Sequence, residues 1–272
     1  MPAGLDLGAP GVALMDTDGN GQLDLVVSTP TISGVFPMRF GGKWDARSFR
    51  PYRSAPSFAL KDPEVKLVDL DGDGATDAIR ADGESLTCFF QDVESGWKEV
   101  RRFPRRALES FPNVSFSDPH VRWADMSGDG LSDLVLVQMR AVHYWSAMGR
   151  GRFGRRVQMQ NPPRLPVQFD PRRILLGDVD GDGCADLLYV EDRKLTLWLN
   201  QQGERWSEPI VIEGTPALSS QDSVRLIDLF GSGVAGVLWI SAPLIGHRDL
   251  FFLDLTGGHK PYLLSQMDNH MG

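Results

Sequence analysis

Short apolar segments separated by turn residues dominate the hydrophobic pattern of this 272-residue chain. Between residues 172 and 213 the segments are RRILLGDV, DLLYVED, KLTLWLNQQG and RWSEPIVI. Each has the length of a strand, is rich in β-branched or aromatic residues, and is bounded by Gly, Asp, Asn or Pro. A helical period is nowhere sustained. The pattern therefore predicts four strands in about 50 residues.

An acidic loop follows the first of these strands and recurs along the chain. Its copies are DTDGNGQLD at 16–24, DLDGDGATD at 69–77, DMSGDGLSD at 125–133, DVDGDGCAD at 178–186, and the degenerate DLFGSGVAG at 228–236. Successive copies begin 53, 56, 53 and 50 residues apart. A unit of roughly fifty residues is thus repeated five times.

The repeats predict the fold class, because one four-stranded meander cannot bury both of its faces and must pack on its neighbours. Radial packing gives an all-β, five-bladed β-propeller of four-stranded antiparallel blades. A right-handed β-helix is the alternative, but its coils are usually shorter and lack hairpin turns. We expect one propeller domain over 1–272, with blades at about 11–52, 64–104, 120–160, 172–213 and 223–268.

Two details of the strand prediction are specific. Pro37 interrupts the third strand of the first blade, where proline is tolerated only at an edge or a bulge. The last strand of the fifth blade is expected at KPYLLSQM, residues 260–267.

The formal net charge of −8 is concentrated in the loops. The four intact loops hold 14 of the 36 acidic residues, which leaves 22 acidic against 28 basic residues elsewhere. Half of the basic residues fall between Lys98 and Arg173. No apolar run reaches membrane-spanning length, and MPAGLDLGAPG at the N-terminus does not have the pattern of a signal peptide. We expect no membrane insertion by this chain, and we interpret it as a propeller excised from a longer protein.

The acidic loop has the spacing of a calcium site. Asp-x-Asp-Gly-Asp/Asn-Gly-x-x-Asp places side-chain oxygens at positions 1, 3, 5 and 9 and a backbone carbonyl at position 7. The Gly at position 6 permits the sharp turn on which the oxygens converge, as in the first nine positions of an EF-hand loop. Oxygen donors without His or Cys suit Ca²⁺. The prediction is up to four structural Ca²⁺ ions, each holding the first two strands of a blade together.

The predicted ligands occupy equivalent positions in the four intact loops. They are Asp16, Asp18, Asn20, the carbonyl of Gln22 and Asp24; Asp69, Asp71, Asp73, the carbonyl of Ala75 and Asp77; Asp125, Ser127, Asp129, the carbonyl of Leu131 and Asp133; and Asp178, Asp180, Asp182, the carbonyl of Cys184 and Asp186.

The loops also depart from the EF-hand pattern. Position 12, where an EF-hand has a bidentate Glu, holds Val27, Arg80, Leu136 or Tyr189, so binding should be weaker or completed by water. The fifth loop lacks donors at Phe230, Ser232 and Gly236 and is expected to be empty. A metal-free turn is the alternative for every loop, because Asp and Gly are good turn formers.

No catalytic or cofactor-binding residue is predicted. The five His residues lie in different repeats, and no Gly-x-Ser-x-Gly, His-Glu-x-x-His or phosphate-binding Gly loop occurs. The segment GRGRFG at 149–154 precedes a strand and not a helix. Cys88 and Cys184 are expected to be free, partly buried thiols. The chain is therefore expected not to be an enzyme.

Aromatic and basic residues leave two binding alternatives. Trp44, Trp97 and Trp206 precede the last strands of their blades, where inter-blade packing is expected; rings exposed together on one face would instead favour glycan binding. The basic segment RRFPRR at 101–106 is expected at a solvated outer edge or against an acidic protein. No nucleic-acid-binding fold is recognisable, so nucleic acid is not an expected partner.

The repeated DxDGDGxxD followed by an apolar strand resembles the FG-GAP/VCBS class of propeller repeats. A narrower resemblance lies in LLYVEDRKLTLWLNQQGERWSEPIVI, VRLIDLFGSGVAGVLWIS and KPYLLSQMDNHMG. These segments look like the middle region of the B component of bacterial Tc toxin complexes and of SpvB-like proteins. The narrower resemblance covers roughly residues 120–272, and the rest of the chain matches by repeat type only.

The resemblance implies a non-enzymatic docking and gating module of a secreted, extracellular toxin complex. In that family the propeller closes one end of a shell that holds a toxic effector, and it docks on the pentameric A component. The implied partners are therefore the A-component pentamer, the shell and the C component. An FG-GAP propeller for adhesion, binding a glycan or a surface protein, is the alternative.

Overall fold

The strands observed in the structure follow the repeat pattern of the sequence. The computed structural model describes residues 5–39, 42–104, 111–242 and 249–259, without the side chains of residues 99 and 100. Within these ranges the chain has 23 β-strands and two short 3₁₀ helices, Ala46–Ser48 and Pro171–Arg173. No helix in these ranges is long and apolar enough to cross a membrane.

One of two compact units comprises Met1–Val121 and Ala147–Arg156. Its first two repeats form the strands β1 (Val12–Met15), β2 (Asp24–Ser28), β3 (Ser33–Phe36), β4 (Met38–Arg39), β5 (Lys43–Trp44), β6 (Arg50–Pro51), β7 (Val65–Val68), β8 (Asp77–Ala81), β9 (Ser85–Asp92) and β10 (Gly96–Pro104). The two antiparallel sheets have the strand orders β1-β2-β3-β6 and β7-β8-β9-β10. The interruption at Pro37 lies between β3 and β4, as the sequence predicts.

The second unit comprises Arg122–Ser146 and Val157–Gly272 and holds most of the third repeat and the last two. The strands from the third repeat onward are β11 (Val121–Ala124), β12 (Asp133–Gln138), β13 (Ala141–Ala147), β14 (Phe153–Gln158), β15 (Ile174–Gly177), β16 (Asp186–Glu191), β17 (Lys194–Trp198), β18 (Asn200–Gln201), β19 (Arg205–Trp206), β20 (Ile210–Glu213), β21 (Ser223–Ile227), β22 (Gly236–Ile240) and β23 (Leu250–Leu253). The sheet orders are β11-β12-β13-β14, β15-β16-β17-β20 and β21-β22-β23.

These five successive sheets confirm the predicted fold class, an all-β five-bladed β-propeller of antiparallel blades. Four sheets have four strands, and the fifth has three within the described part of the chain. The strand predicted at 260–267 lies outside the described residues.

The core of the first unit joins the first two sheets. Ala78, Phe89 and Val26 are at most 2% exposed, and the ring of Phe58 packs on Phe89 and edge-on against Trp97, with centroids 4.7 and 5.2 Å apart. Because alternate residues of a strand point to opposite faces, the apolar runs seen in the sequence supply both sides of a blade.

In the second unit, the fourth sheet is covered on both faces. Leu187 and Tyr189 of β16 belong to a cluster shared with the third sheet. Leu188 and Val190, the alternate residues of the same strand, belong to a cluster shared with the fifth sheet. A continuous apolar strand is the sequence signature of burial on two sides, and β16 has that signature.

Short backbone bridges join consecutive sheets within each unit. A parallel bridge connects Ser54, after the first sheet, to Gly96 in the hairpin of the second. The corresponding bridge in the second unit connects Gln160 to Arg205, where the N–H of Trp206 donates to the carbonyl of Gln160 over 3.1 Å. The third-strand hairpin of one repeat thus stacks on the end of the preceding repeat.

A carboxylate fixes the connection that leads out of the second sheet. Glu64 accepts hydrogen bonds from the N–H groups of Phe116 (2.9 Å) and Ser117 (3.2 Å) and from the hydroxyl of Ser115. Burial alone would raise the pKa of Glu64, but these hydrogen bonds outweigh it and lower the pKa to about 2. The turn at 115–117 is therefore held by an ionised side chain.

We expect Glu64→Gln to reduce the free energy of unfolding at pH 7 by about 1 kcal/mol, since the side chain is partly exposed and charged hydrogen bonds contribute modestly there. A folded-state pKa below the unfolded value stabilises the protein above the unfolded pKa, and this stabilisation is lost as pH falls from about 4.5 toward about 2. Denaturant titrations across this pH range should show that the difference in free energy of unfolding between the variant and the wild type disappears at the acidic end.

The control is Glu84→Gln, because Glu84 is exposed and its carboxylate accepts no hydrogen bond within the described ranges. A pH-independent difference between Glu64→Gln and wild type would contradict the assignment.

Candidate functional site

The first aspartate of each acidic loop organises the backbone of its own loop. In the second loop, Oδ1 of Asp69 accepts the N–H of Gly72 (2.7 Å) and Oδ2 accepts the N–H of Gly74 (2.9 Å). Asp16, Asp125 and Asp178 make the equivalent pair of bonds, at 2.6 to 3.0 Å. Oδ2 of each carboxylate accepts one of these bonds and keeps a lone pair for an ion, whereas Oδ1 of Asp16, Asp69 and Asp125 also accepts further N–H groups of the loop at 3.2 to 3.3 Å.

Glycine is required at positions 4 and 6 for backbone reasons. In the first loop Gly19 has φ +73°, a left-handed conformation that a side chain strains. A Cβ on Gly19 would also lie 2.6 Å from the carbonyl oxygen of Asp73 in the second loop. The two loops of the first unit therefore contact each other backbone to backbone.

Hydrogen bonds link consecutive loops in the same way within each unit. The N–H of Thr76, at position 8, donates to the carbonyl of Asp16, at position 1 of the preceding loop, over 2.7 Å. Ala185 and Ala235 donate to Asp125 and Asp178 over 2.6 and 3.0 Å. The degenerate fifth loop thus keeps the connection to its neighbour although Asp228 is its only remaining carboxylate.

The aspartate at position 9 is buried and joins three segments. Oδ2 of Asp77 accepts the N–H of Leu70 (3.1 Å) inside the loop, and Oδ1 accepts the N–H of Gln91 (2.8 Å) at the end of the third strand. Asp186 bonds in the same way to the N–H groups of Val179 (3.0 Å) and Asn200 (2.7 Å). The position-9 carboxylates are at most 1% exposed, so this aspartate is part of the core.

The same contacts recur, in part, in the other two intact loops. Asp24 accepts the N–H of Met38 (2.7 Å) and the hydroxyl of Thr17, and Asp133 accepts the N–H of Met126 (3.0 Å). Sequence reasoning assigned position 9 only to metal binding and missed this structural role. The available signal was its constant place as the first residue of the second strand.

The loops concentrate negative charge, and the position-9 carboxylate of each intact loop is the buried part of that charge. Burial raises the pKa of Asp77 to about 7, although the N–H groups of Gln91 and Leu70 lower it. Burial and the neighbouring charges of Asp73 and Asp69 raise the pKa of Asp71. Carboxylates that repel one another in this way gain stability when a cation neutralises them.

Two loops bring three carboxylates together. Ligand atoms of Asp69, Asp71 and Asp77 lie within 4.8 Å of one another, and so do ligand atoms of Asp178, Asp180 and Asp182. In the first and third loops Asn20 and Ser127 replace one carboxylate of the motif. An all-oxygen set at this spacing fits a hard divalent cation such as Ca²⁺.

The backbone N–H groups of the position-7 residues form hydrogen bonds within their own loops, as expected of turn residues. The N–H groups of Gln22, Ala75, Leu131 and Cys184 donate to the position-5 side chains of their loops at 2.8 to 2.9 Å. The side-chain oxygen of position 5 is therefore directed into the loop, next to the position-7 peptide.

An aromatic side chain replaces the position-9 carboxylate in the fifth loop. A Cβ on Gly236 would lie 2.3 Å from Cζ of Phe252, so the ring of Phe252 fills the space that an aspartate occupies in the other loops. Phe230, at position 3, packs edge-on against Phe252 with centroids 5.5 Å apart. Oδ1 and Oδ2 of Asp228 still accept the N–H groups of Ser232 and Gly233, at 2.9 and 2.7 Å.

Most of the tryptophan and cysteine side chains considered in the sequence analysis are buried in the core. Trp97 and Trp206 are 3% and 0% exposed, which confirms the packing interpretation and removes them as glycan-binding residues. The indole N–H of Trp44 donates to the carbonyl of Leu23 over 3.2 Å. Cys88 and Cys184 are free, as predicted, and both are fully buried.

Comparison with known proteins supports the resemblance drawn from sequence. The FG-GAP-like repeat family matches residues 125–189, from the third loop to β16. No curated protein matches the chain. Among solved structures, the Photorhabdus luminescens Tc holotoxin pore is similar over 99% of this chain, with 27% sequence identity and a TM-score of 0.79.

Two further structures are similar at lower identity. A TcdB2-TccC3 protein without its hypervariable C-terminal region matches 96% of this chain at 23% identity and a TM-score of 0.55. A lectin of Agrocybe aegerita that recognises non-reducing terminal N-acetylglucosamine matches 89% of this chain and 65% of its own, at 15% identity and a TM-score of 0.56. At these identities the two matches show the fold alone.

The chain spans only 12% of the matched holotoxin chain and 15% of the TcdB2-TccC3 chain. With the repeat-family match, these similarities confirm the predicted resemblance to the propeller region of a Tc toxin B component.

The buried aspartate should matter for stability in the absence of any ion. In the presence of a chelator, we expect Asp186→Ala to lower the free energy of unfolding by about 2–4 kcal/mol, because the buried N–H groups of Asn200 and Val179 lose their acceptor. Asp182→Ala, which removes one loop bond to Cys184, should cost about 1 kcal/mol or less. Denaturant titration of both variants would compare them, and equal losses would mean that position 9 acts only as a ligand.

Proposed function

From the similarity of this chain to the propeller region of a Tc toxin B component, we propose that it is a protein–protein docking and gating module of a Tc-type toxin. It would bind the A-component channel and close the shell that contains the effector. The observation that carries the proposal is the similarity to the holotoxin pore over 99% of the chain at 27% identity. The family match is to a structural repeat and indicates no enzymatic activity.

The basic edge of the third sheet supports docking to an acidic surface. Arg155 and Arg156 of β14 are exposed, and neither forms an ion pair within the described ranges. Arg102 of β10 differs, since its guanidinium bonds to Ser85 (2.9 Å) and lies 3.7 Å from Asp82. Unpaired cations at an interface rim accelerate and orient association with a partner of opposite charge.

Binding of the full chain to a purified pentameric Tc A component, followed by light scattering and interferometry, tests the proposal. We expect saturable binding of one chain per pentamer that weakens at high salt. Reversal of the edge charges in Arg155→Glu/Arg156→Glu should weaken binding about tenfold or more. The control, Arg47→Glu/Arg50→Glu, changes two exposed arginines outside β14 and should leave binding unchanged.

Two results would contradict this proposal in different ways. A folded chain that does not bind the pentamer would overturn docking and favour an adhesion-type propeller. Binding that is insensitive to the β14 reversal would retain docking but exclude the basic edge as the contact.

We also propose that the acidic loops bind structural Ca²⁺. When bound, the ion would neutralise the clustered carboxylates. Asp69, Asp71 and Asp77 would hold it in the second loop, and Asp178, Asp180 and Asp182 in the fourth. Since these loops precede β8 and β16, ion binding would reinforce the connection between the first two strands of a blade.

The calcium proposal predicts a change that depends on the ion. Adding Ca²⁺ at a hundredfold excess over Kd should stabilise the chain by about 2.7 kcal/mol per site, observed as a higher Tm than in EDTA. With Ca²⁺, Asp71→Ala should lose the stabilisation that one bound ion provides. In EDTA the same substitution should lower the free energy of unfolding by less than about 1 kcal/mol, because it also relieves repulsion from Asp69 and Asp73.

Asp228→Ala is the matched control, because Asp228 bonds only to its own loop. Asp228→Ala should lower the free energy of unfolding by the same amount with Ca²⁺ and in EDTA. With Ca²⁺, this decrease should be smaller than the decrease caused by Asp71→Ala. Identical melting curves of the wild type with Ca²⁺ and EDTA would contradict ion binding.

A further inference from the structure

A groove on the fourth sheet is unrelated to the acidic loops. It lies between one face of β16, β17 and β20 and the proline-rich segment 161–166, and it has a volume of about 460 Å³. This segment, NPPRLP, connects the third repeat to the fourth. The volume is within the range of small-ligand sites in proteins.

Two polar groups in the groove have no partner in the protein. Thr196 and Trp198 are neighbours on one face of β17, and each is only 7% exposed. Within the described ranges, neither the hydroxyl of Thr196 nor the indole N–H of Trp198 makes a hydrogen bond. Both polar atoms are accessible from the groove, so they are available to hydrogen-bond with a molecule that occupies it.

Charges around the groove balance. Arg164 and Lys194 are opposed by Glu191 and Glu208. Lys194 and Glu191 form an ion pair with 2.7 Å between Nζ and Oε2, and Glu208 accepts from the amide of Asn161 over 3.4 Å. A site with no net charge does not favour a phosphate or another strongly ionised ligand.

The groove also offers apolar surfaces beside these polar groups. The ring of Tyr189 and the side chain of Val211, on β16 and β20, flank Thr196 in the sheet register. Arg164 is exposed and forms no ion pair in the described part of the chain, so its planar guanidinium is available to two adjacent ligand oxygens. The site therefore combines aromatic and aliphatic surface with several donors.

We propose that this groove binds a neutral mono- or disaccharide. Sugars present apolar C–H faces together with hydroxyls that accept and donate hydrogen bonds, which matches the aromatic wall, the free donors and the balanced charges. β20 is the outermost strand of the fourth sheet and pairs only with β17 in that sheet, so an extended peptide added to its free edge is the alternative that the titration must distinguish.

The test titrates the full chain with glucose, galactose, mannose, N-acetylglucosamine and their β-linked disaccharides, observed by saturation-transfer NMR and calorimetry. We expect saturable binding of at least one neutral sugar. Thr196→Val removes one donor with little change in volume, and Trp198→Phe removes one donor together with part of the aromatic surface; each should weaken binding about tenfold or more. Arg164→Ala, at an exposed position where folding is not at risk, should also weaken it.

Thr31→Val is the matched control, because Thr31 is exposed and lies in the other unit. It should bind sugar as the wild type does. Absence of binding by every neutral sugar, unchanged affinity in the three groove variants, or preferential binding of glucose 6-phosphate or a tripeptide mixture would each overturn the proposal.

Discussion

The structure depends on a buried carboxylate at the start of the second strand of the intact repeats. Asp77 and Asp186 each accept one N–H from the acidic loop and one from the end of the third strand. An unpaired buried charge is costly, so the carboxylate is tolerated only where the chain supplies these donors. The loop and the third strand are therefore positioned by the same side chain.

The fifth repeat shows that the loop conformation and the chemistry of the loop are separable. Phe252 fills the space of the missing carboxylate, and Asp228 still closes its loop. The hydrogen bond from Ala235 to the preceding loop is also kept. A repeat can thus lose most of its loop carboxylates and remain integrated with its neighbour, because integration depends on backbone groups and packing.

The proposed activities use different parts of the repeats. Ions would act at the loops, where carboxylates converge, and docking would use the basic edge strand β14. The groove on the fourth sheet lies elsewhere and is formed by side chains at the outer part of a blade face.

The sequence by itself determined the repeat number, the strand positions, the glycine-dependent loops and the fold class. These features depend on local patterns: the continuous apolar run in β16, the alternation in β17, the turn residues between strands, and a spacing of about 50 residues. The position-1 aspartates were also identifiable, because their bonds are made within five residues.

Only the tertiary structure decided which residues meet across repeats. Trp206 is buried while the equally placed Trp44 remains partly exposed, because the neighbouring segments differ. The ring of Phe252 fills the place of a position-9 carboxylate, although Phe252 lies 16 residues after that position in the chain. Thr196 lines the same groove as segment 161–166, which lies some 30 residues before it. Such contacts depend on how separate strands pack, and no periodicity in the chain encodes the distance between them.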